Sequence, residues 1–455
     1  MLKLVSDTSF GFAALLLVAG CAAVDPHNVI GRQIADIESV GSDVVPSGST
    51  TVLDAEARDR AFDYVWRTIN SRYYDPHLNG IDWNAVGQRY RPLAHAAPDD
   101  EAFWDVLDRM TGELKDAHTR VESPRRAALR KRDESISMGF SFVPLEGRLA
   151  VLGVSPDSDA WWAGVRPGMT LATIQGEAAM TVYQRLMADT RFDSTERSRH
   201  LRAMRRLVSG DEGSGLEVSF ERADGSRLDT RLTRRKLAFR PAAIHRVLPS
   251  GMGYLRLTQW TLGVMPKTFE GMDALKDTPG LVIDLRGNPG GSLHSVNAML
   301  GRFFPSKTEL GRVLTRTGQP ISLFFGTVEV IKLKTEVEGN ASAYRGPVVV
   351  LLNAMSGSAS ELFAATLQAT GRASVVGEPS CGCLLGFLGY ARIPGGGELA
   401  YSEVGFVMPN GKRIEGEGVV PDHLVPVTLA DLRVSRDRAL EEAQNVLRAL
   451  PPWKH

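Results

Sequence analysis

Two short apolar runs in the C-terminal half of the chain constrain its fold most strongly, because each leads into a turn of small residues and then into a helical stretch. The runs cover residues 280–285 and 347–352. Strands that are apolar throughout are buried on both faces, and repeated strand–turn–helix units form α/β sheets. We therefore predict an α/β core over residues 238–430 and a C-terminal helix over residues 431–455. Sites in such sheets lie at the carboxyl ends of the strands, so we expect the site in the two turns.

Two blocks with other periodicities precede this core. Between residues 54 and 121 apolar side chains recur at helical spacing. They form two stripes: Phe62, Val65, Trp66, Ile69 and Tyr73, then Phe103, Val106, Leu107, Met110 and Leu114. From about residue 135 to residue 237 the period falls toward two, with turn signals between short strands. We predict a multidomain α/β protein with an N-terminal helical bundle over residues 53–128 and a β-rich domain over residues 129–237.

Composition excludes two classes of protein. The 53 Lys and Arg residues balance 53 Asp and Glu residues, whereas a nucleic-acid binder needs a basic excess to neutralise phosphates. Three cysteines are too few for a disulfide framework. We therefore predict no nucleic-acid partner and a chain stabilised by ordinary cores.

The N-terminus has the pattern of a secretory signal over residues 1–20. An early lysine precedes a short apolar run that is too brief to span a bilayer comfortably. The letters "VAGC", which end at Cys21, resemble a bacterial lipobox. That resemblance implies an acylated Cys21, a tether over residues 21–52 and a periplasm-facing lipoprotein of the bacterial cell envelope. The alternative is an ordinary signal peptide with a chance cysteine.

Ser358 lies in the second turn, where a strand leads into a helix. Free N–H groups and the dipole at a helix N-terminus favour a developing negative charge, so Ser358 is a candidate nucleophile. The alternative is a simple helix cap. In the first turn, Gly290 and Gly291 permit the close backbone approach that an oxyanion hole requires. A phosphate-binding loop is disfavoured, because no Gly-Lys-Ser/Thr follows.

Four motifs, "DLRGNPGG", "SGSASE", "VVGEP" and "EGVVPD", together resemble the C-terminal processing (tail-specific) protease family. The helical block adds "YYDPHLNGIDW" and "LKDAHT", so the resemblance covers residues 62–427. It implies a ClpP/crotonase-like protease core with Ser358 as nucleophile. It also implies that the N–H of Ala359 and that of Gly290 or Gly291 bind the oxyanion. No metal or cofactor is implied.

The general base departs from the lysine pattern of that family. Its serine–lysine members carry lysine 25 residues after the serine, and that position holds Cys383 here. The tricorn-core branch uses serine, histidine and glutamate instead, and the resemblance assigns these roles to His118 and Glu415. A histidine with a pKa near 6.5 is mostly neutral at pH 7, whereas a lysine needs its pKa lowered by roughly three units.

The sequence leaves alternatives open for these residues, including roles outside catalysis. His118 could cap a helix, and Glu415 could be a surface charge. His294 is a second candidate base. Oxidation could pair Cys381 with Cys383. We expect them to line the pocket unpaired, because a one-residue spacer would strain the disulfide.

The β-rich block resembles a PDZ domain. Its "AGVRPGM" segment matches the family pattern, although Met169 replaces the usual aspartate. The resemblance makes Met138, Gly139 and Phe140 the loop that holds a peptide carboxylate. We therefore predict a serine endopeptidase that recognises polypeptide substrates through this domain, with homo-oligomerisation left open. The alternative is a pseudo-protease that binds peptides and has lost its base.

Overall fold

The computed structural model describes residues 24–32, 53–131, 134–238 and 240–451. The first unit is helical, and it ends in a short strand and a further helix. In chain order it contains α1 (Ala55–Arg72), a 3-10 turn (Leu78–Gly80), α2 (Trp83–His95), α3 (Asp100–Gly112), β1 (Arg120–Glu122) and α4 (Pro124–Lys131). Asp54, Asp82 and Asp99 cap the three long helices by accepting backbone N–H groups in the first turn.

The two predicted helical stripes face the core of this unit, although Trp66 and Val106 are only partly buried. The unit is not a free-standing bundle. Strand β1 pairs with residues 398–400, and Leu385, Leu399 and Tyr401 belong to the same hydrophobic cluster as the helices. The predicted helical bundle over residues 53–128 therefore shares its core with residues of the third unit.

The second unit is rich in antiparallel strands, as the period of two predicts. It contains β2 (Glu134–Ser137), β3 (Phe140–Leu145), β4 (Arg148–Val154), α5 (Asp159–Trp162), β5 (Thr170–Ile174), β6 (Glu177–Ala178), α6 (Ala179–Asp189), α7 (Glu196–Val208), β7 (Gly215–Glu221), β8 (Arg227–Thr233) and β9 (Arg235–Ala238). The main sheet has the order β3-β4-β5-β7-β8, and β2 pairs with β9. This unit has its own hydrophobic core, which includes Phe142 and Phe220.

The third unit is the predicted α/β core. It contains, in chain order, β10 (Ala243–Val247), β11 (Gly253–Leu257), α8 (Met265–Ala274), β12 (Leu281–Asp284), α9 (Leu293–Leu300), β13 (Thr308–Thr315), β14 (Ile321–Leu323), β15 (Val328–Ile331), β16 (Lys334–Val337), β17 (Val348–Leu352), α10 (Ala359–Ala369), β18 (Ser374–Gly377), β19 (Leu385–Gly386), β20 (Ala391–Arg392), β21 (Glu398–Ala400), β22 (Val404–Val407), β23 (His423–Leu424), α11 (Leu429–Arg433) and α12 (Arg438–Ala449).

The central sheet has the order β10-β11-β12-β17-β18-β23, and every pair except β10 with β11 is parallel. Both predicted strands, β12 and β17, are buried along their whole length. Their side chains alternate between two hydrophobic clusters, with Ile283 and Val350 in one and Val282 and Val349 in the other. The sheet is therefore covered on both faces, and the turns after β12 and β17 emerge at the same edge.

Residues 24–32 lie within the predicted tether, yet they are packed against the third unit. Val29 is 8% exposed and joins the main hydrophobic cluster. Both guanidinium nitrogens of Arg32 donate to the Glu403 carboxylate, at 2.9 and 3.1 Å, and both side chains are 2% exposed. The free-tether prediction is therefore wrong for this stretch. The predicted signal and Cys21 lie outside the described residues.

In the part of the chain that the structure describes, no helix combines the length and the apolar character that crossing a membrane would require.

Arg32→Met leaves the buried Glu403 without its guanidinium partner. We expect the free energy of unfolding to fall by about 3 kcal/mol, because breaking one half of a buried pair leaves an uncompensated charge. Arg60→Met breaks an exposed pair with Glu56 and should cost less than ~1 kcal/mol. Urea unfolding of both variants, followed by circular dichroism, measures the difference. Equal losses would show that the buried pair contributes no more than a surface pair.

Candidate active site

Ser358 occupies a sharp turn between β17 and α10. Its φ of 53° and ψ of −116° are unusual for a residue with a side chain, and such strain costs about 1–3 kcal/mol. Several backbone contacts hold it there. The Ser358 N–H donates to the Cys383 carbonyl at 3.1 Å and to the Glu361 carboxylate at 2.9 Å, and the Gly357 N–H donates to the Asn288 carbonyl at 3.0 Å. The turn therefore presents a serine at the start of α10, as predicted.

His118 meets Ser358 from the first unit. Its Nε2 lies 3.1 Å from the Ser358 Oγ, and the two residues are 240 positions apart in the sequence. His118 follows α3, on the loop that leads into β1. Burial lowers the pKa of His118 below its usual value, and the charge of Arg120 lowers it further, while the carboxylates of Asp116 and Asp193 oppose the shift. A histidine in this environment is neutral at pH 7 and can accept a proton.

The loop that carries His118 is held by buried polar contacts. Asp116 is fully buried, and its carboxylate accepts the His118 N–H at 2.7 Å, the Ser402 hydroxyl at 2.7 Å and the Thr119 hydroxyl. Arg191 reaches this loop from the second unit and donates to the carbonyls of Asp116 and Thr119. The position of the imidazole thus depends on contacts from all three units.

Glu415 lies close to this loop without bonding to His118. Both of its carboxylate oxygens are buried and have no hydrogen-bond partner among the described residues, and the same holds for the His118 Nδ1. Burial raises the pKa of Glu415 well above its ordinary value, with a further rise from Asp116, whereas the facing Ser194 hydroxyl lowers it. Ser194 also accepts the N–H of Ala117 at 2.9 Å, so it stands between Glu415 and the histidine loop. The structure therefore brings Ser358 and His118 together, whereas Glu415 lies near the histidine loop without a hydrogen bond to either residue.

The glycine turn lies against the nucleophile. A side chain at Gly290 would place its Cβ 2.7 Å from the Ser358 Cβ and 2.9 Å from the Ala359 nitrogen, so glycine is needed there. The Gly290 N–H itself donates to the Asn288 side chain at 2.9 Å. Among the described residues no acceptor is bonded to the N–H of Gly291 or to that of Ala359. Two of the three predicted oxyanion donors are therefore free, and Gly290 is engaged.

Cys381 and Cys383 form a disulfide, so the expectation that they stay unpaired is wrong. The spacer residue, Gly382, adopts a φ of 75°, which glycine allows at little cost. Both cysteines are buried. The position at which serine–lysine proteases of the C-terminal processing family carry a lysine thus holds a crosslinked sulfur, which is neither a base nor a free thiolate.

Glu361 is the residue at this site that sequence reasoning missed. Its buried carboxylate accepts from four donors: the Ser358 N–H at 2.9 Å, the Ser380 hydroxyl at 2.6 Å, the Gly382 N–H at 2.7 Å and the Cys383 N–H at 3.0 Å. Burial raises the pKa of Glu361, while these hydrogen bonds lower it. The spacing Ser-x-x-Glu at a helix start is typical of a capping box and could have indicated it.

The second candidate base does not contact the candidate nucleophile. His294 is exposed at the start of α9, and within the described ranges no hydrogen bond or ring contact links it to Ser358 or Glu415. In the described part of the chain no group of three or more His, Cys, Asp and Glu side chains is arranged to hold a metal ion.

The predicted carboxylate-binding loop of the second unit is closed in this structure. The Met138 N–H donates to the Val208 carbonyl at 3.0 Å, and the Gly139 N–H donates to the Ser137 hydroxyl at 3.1 Å. On the neighbouring strand β3, the Phe142 carbonyl lies 3.1 Å from the His200 Nε2 of α7. Met138 and Phe140 are buried. These N–H groups and this strand edge are therefore engaged within the unit and are not open to a peptide.

Two family models match the chain: peptidase family S41 over residues 251–425 and the tricorn protease C1 domain over residues 54–112. The chain is 26% identical over 438 residues to tricorn protease homolog 2 of Streptomyces coelicolor, across 88% of this chain and 34% of that protein. It thus spans about a third of that relative's length. It is 27% identical over 417 residues to carboxyl-terminal-processing peptidase 2, chloroplastic, of Arabidopsis thaliana, across 86% of this chain and 73% of that protein.

A solved structure shows the same fold. The photosystem II D1 C-terminal processing protease superposes with a TM-score of 0.55 at 23% identity, over 87% of this chain and 98% of that one. The S41 match includes Ser358, the glycine turn and Glu415, while the tricorn match covers the helices that lead to His118. The core of the chain, residues 251–425, therefore matches peptidase family S41, a family of peptide-bond hydrolases, and the helices of the first unit match the tricorn protease C1 domain.

Proposed function

We propose that the protein is a serine endopeptidase of the bacterial cell envelope that faces the periplasm and is held to the membrane through acylated Cys21. Its substrates are polypeptides. The observation that carries the proposal is the 3.1 Å separation between the His118 Nε2 and the Ser358 Oγ. A hydroxyl within hydrogen-bond reach of a neutral imidazole is the arrangement that activates a serine nucleophile. This contact also disfavours the pseudo-protease alternative, since a base is present.

The reaction follows from this arrangement. The Ser358 Oγ attacks the carbonyl carbon of the peptide, and its proton passes to the His118 Nε2. The N–H groups of Ala359 and Gly291 bind the oxyanion, helped by the N-terminal end of α10. The tetrahedral intermediate then collapses: the peptide C–N bond breaks, the amine leaves with the proton from His118, and an acyl-serine forms. Water, deprotonated by His118, hydrolyses that ester and restores Ser358.

Glu415 is the proposed partner of the imidazolium. When His118 becomes charged, its Nδ1–H needs an acceptor, and the buried oxygens of Glu415 need donors. Unpaired buried polar groups cost about 1–3 kcal/mol each, so a movement that joins these two groups would recover that cost. The raised pKa of Glu415 keeps its carboxyl close to protonation until the positive imidazolium forms beside it.

The second unit is the proposed substrate-recognition domain. Its PDZ-like strand edge is covered by His200, so a polypeptide C-terminus must displace α7 side chains to add to β3. The N-terminal end of α7 contacts the disulfide loop directly, because the hydroxyl of its N-cap residue Thr195 donates to the Cys381 carbonyl and the Nε of Arg197 in its first turn donates to the Ser380 carbonyl at 2.7 Å. Displacement of α7 would therefore reach the loop beneath Ser358.

Ser358→Ala and His118→Ala should each lower kcat at least about 1,000-fold on an unfolded protein substrate. The double variant should be no worse than either single one, because the two residues act as a unit. His294→Ala is the matched control, and its kcat should stay within about twofold of the parent chain. Casein hydrolysis by purified variants measures all four. A His118→Ala variant with undiminished kcat would exclude His118 as the base.

The acid limb of kcat/KM should have a midpoint below pH 6.5. The pKa of His118 is lowered by burial, so the neutral base persists to lower pH than a free histidine, and activity falls only as pH drops through that lowered pKa. A pH profile from about pH 4 to pH 9 on a peptide substrate locates the limb. A midpoint above pH 6.5 would contradict a base whose pKa is lowered by burial.

Reduction of the disulfide should lower kcat by about tenfold without abolishing it. The Cys383 carbonyl accepts the Ser358 N–H, and the disulfide helps to position that carbonyl, whereas Glu361 still holds the loop. Activity with and without dithiothreitol measures the effect, and Cys381→Ala/Cys383→Ala is the control that should not respond to the reductant. If the double-alanine variant retains full activity, the crosslink has no role in positioning Ser358.

A further inference from the structure

The hairpin formed by β14 and β15 carries an exposed apolar tip. Its root is buried, because Ile321 and Leu323 join the main hydrophobic cluster. Four apolar side chains beyond this root are exposed: Phe324 (45%), Phe325 (74%), Val328 (47%) and Val330 (38%). Glu329 is the single charged residue between 324 and 330. Contiguous exposed apolar surface of this kind marks an interaction site.

The N-terminal segment meets the chain at this hairpin. The Phe324 N–H donates to the Val24 carbonyl at 2.7 Å. Residues after Val24 are held on the body by Val29 in the core and by the Arg32–Glu403 pair. The point at which the chain leaves the described structure is therefore fixed beside the apolar tip.

Cys21 precedes Val24 by three residues. Three residues of chain span at most about 10 Å, so the candidate acylation site lies within that reach of the hairpin. A free tether over residues 21–52 would have separated them by far more. Because residues 24–32 are packed on the body of the protein, a lipid on Cys21 would lie near the exposed side chains of Phe324 and Phe325.

We propose that residues 324–330 form a second membrane contact, with the bilayer interface as its occupant. The inference rests on the proposed acylation of Cys21. Aromatic side chains are favoured at membrane–water interfaces, and the near absence of charge on the tip avoids the cost of desolvating ions there. The lipid chain prevents the protein from leaving the membrane, and the hairpin turns this face of the body toward it. The catalytic site is then held in one orientation relative to the bilayer.

The substitution that tests this is Phe324→Asn/Phe325→Asn. Both phenylalanines have positive φ, at 50° and 59°, and asparagine tolerates that region well, so the hairpin should keep its shape. The matched control is Leu262→Asn/Val434→Asn, which removes two apolar side chains that are 65% and 71% exposed elsewhere on the protein. Each pair is placed in the full chain with native Cys21 and in the full chain with Cys21→Ser, which cannot be acylated.

Flotation with vesicles of phosphatidylethanolamine and phosphatidylglycerol measures the partition coefficient of the Cys21→Ser chains. We expect the partition coefficient of the hairpin variant to be at least about tenfold lower than that of its parent, because the variant lacks the two aromatic side chains that would enter the apolar interface. The partition coefficient of the control should match that of its parent. In the acylated chain, hydrogen exchange of residues 321–331 should slow on vesicle binding and should lose that protection in the hairpin variant.

Equal partition of the hairpin variant and its parent, with no change in exchange, would overturn the proposal. A hairpin variant that dissociates a dimer in sedimentation but floats like its parent would overturn it in favour of a second copy of this chain. Mass spectrometry of Cys21 and casein hydrolysis in detergent are scored separately. A protein without acylated Cys21 would refute the lipid anchor, and a protein without casein hydrolysis would refute the proposed activity. Each result is distinct from a failure of the hairpin to bind the membrane.

Discussion

The arrangement of the site depends on one buried carboxylate, that of Glu361. It is fully buried and accepts four hydrogen bonds, so the cost of burying it is offset by complete satisfaction of its oxygens. One of its donors belongs to the strained nucleophile, and the others belong to the disulfide loop beneath it. The Ser380 hydroxyl continues the network by accepting the Val419 N–H at 2.7 Å, close to Glu415. Two loops that are far apart in sequence are thereby fixed relative to Ser358.

The short segment between α6 and α7, together with the first turn of α7, connects the second unit to the His118 loop and to the disulfide loop. Arg191 holds the His118 loop, Ser194 stands between that loop and Glu415, and Thr195 and Arg197 hold the disulfide loop. Arg191 is 7% exposed, and its guanidinium is fully hydrogen-bonded to carbonyls and to Asp108. Burying a cation costs free energy unless each of its contacts is kept. A displacement of this segment would therefore shift the loop of His118 and the loop beneath Ser358 together.

Local patterns predicted the parts of the structure that local physics decides. Helical stripes, the two buried strands and the serine turn follow from periodicity and composition within a dozen residues, and they agree with the structure. Contacts between distant segments could not be read in this way. Arg191 belongs to no periodic pattern or motif. Residues 24–32 have the polar composition of a linker, and only the distant pairing of Arg32 with Glu403 shows that they are packed. The expectation of unpaired cysteines is wrong because the single spacer residue is a glycine, and Gly382 adopts a positive φ that other residues rarely adopt.

The loop that contains Cys383 shows how a base can be replaced without loss of architecture. A lysine base must be buried to lower its pKa by roughly three units, so a loop that carries one has to pack tightly beside the serine. In the proposed mechanism a histidine from another unit takes the proton, so the loop can keep a packing role without a titratable side chain. Here its backbone still accepts the Ser358 N–H, and its two cysteines are joined to each other. In this chain the position supplies a backbone acceptor and a crosslink, and no proton acceptor. The histidine must in turn be positioned by long-range contacts, and Arg191 and Ser402 supply these contacts at residues 116–119.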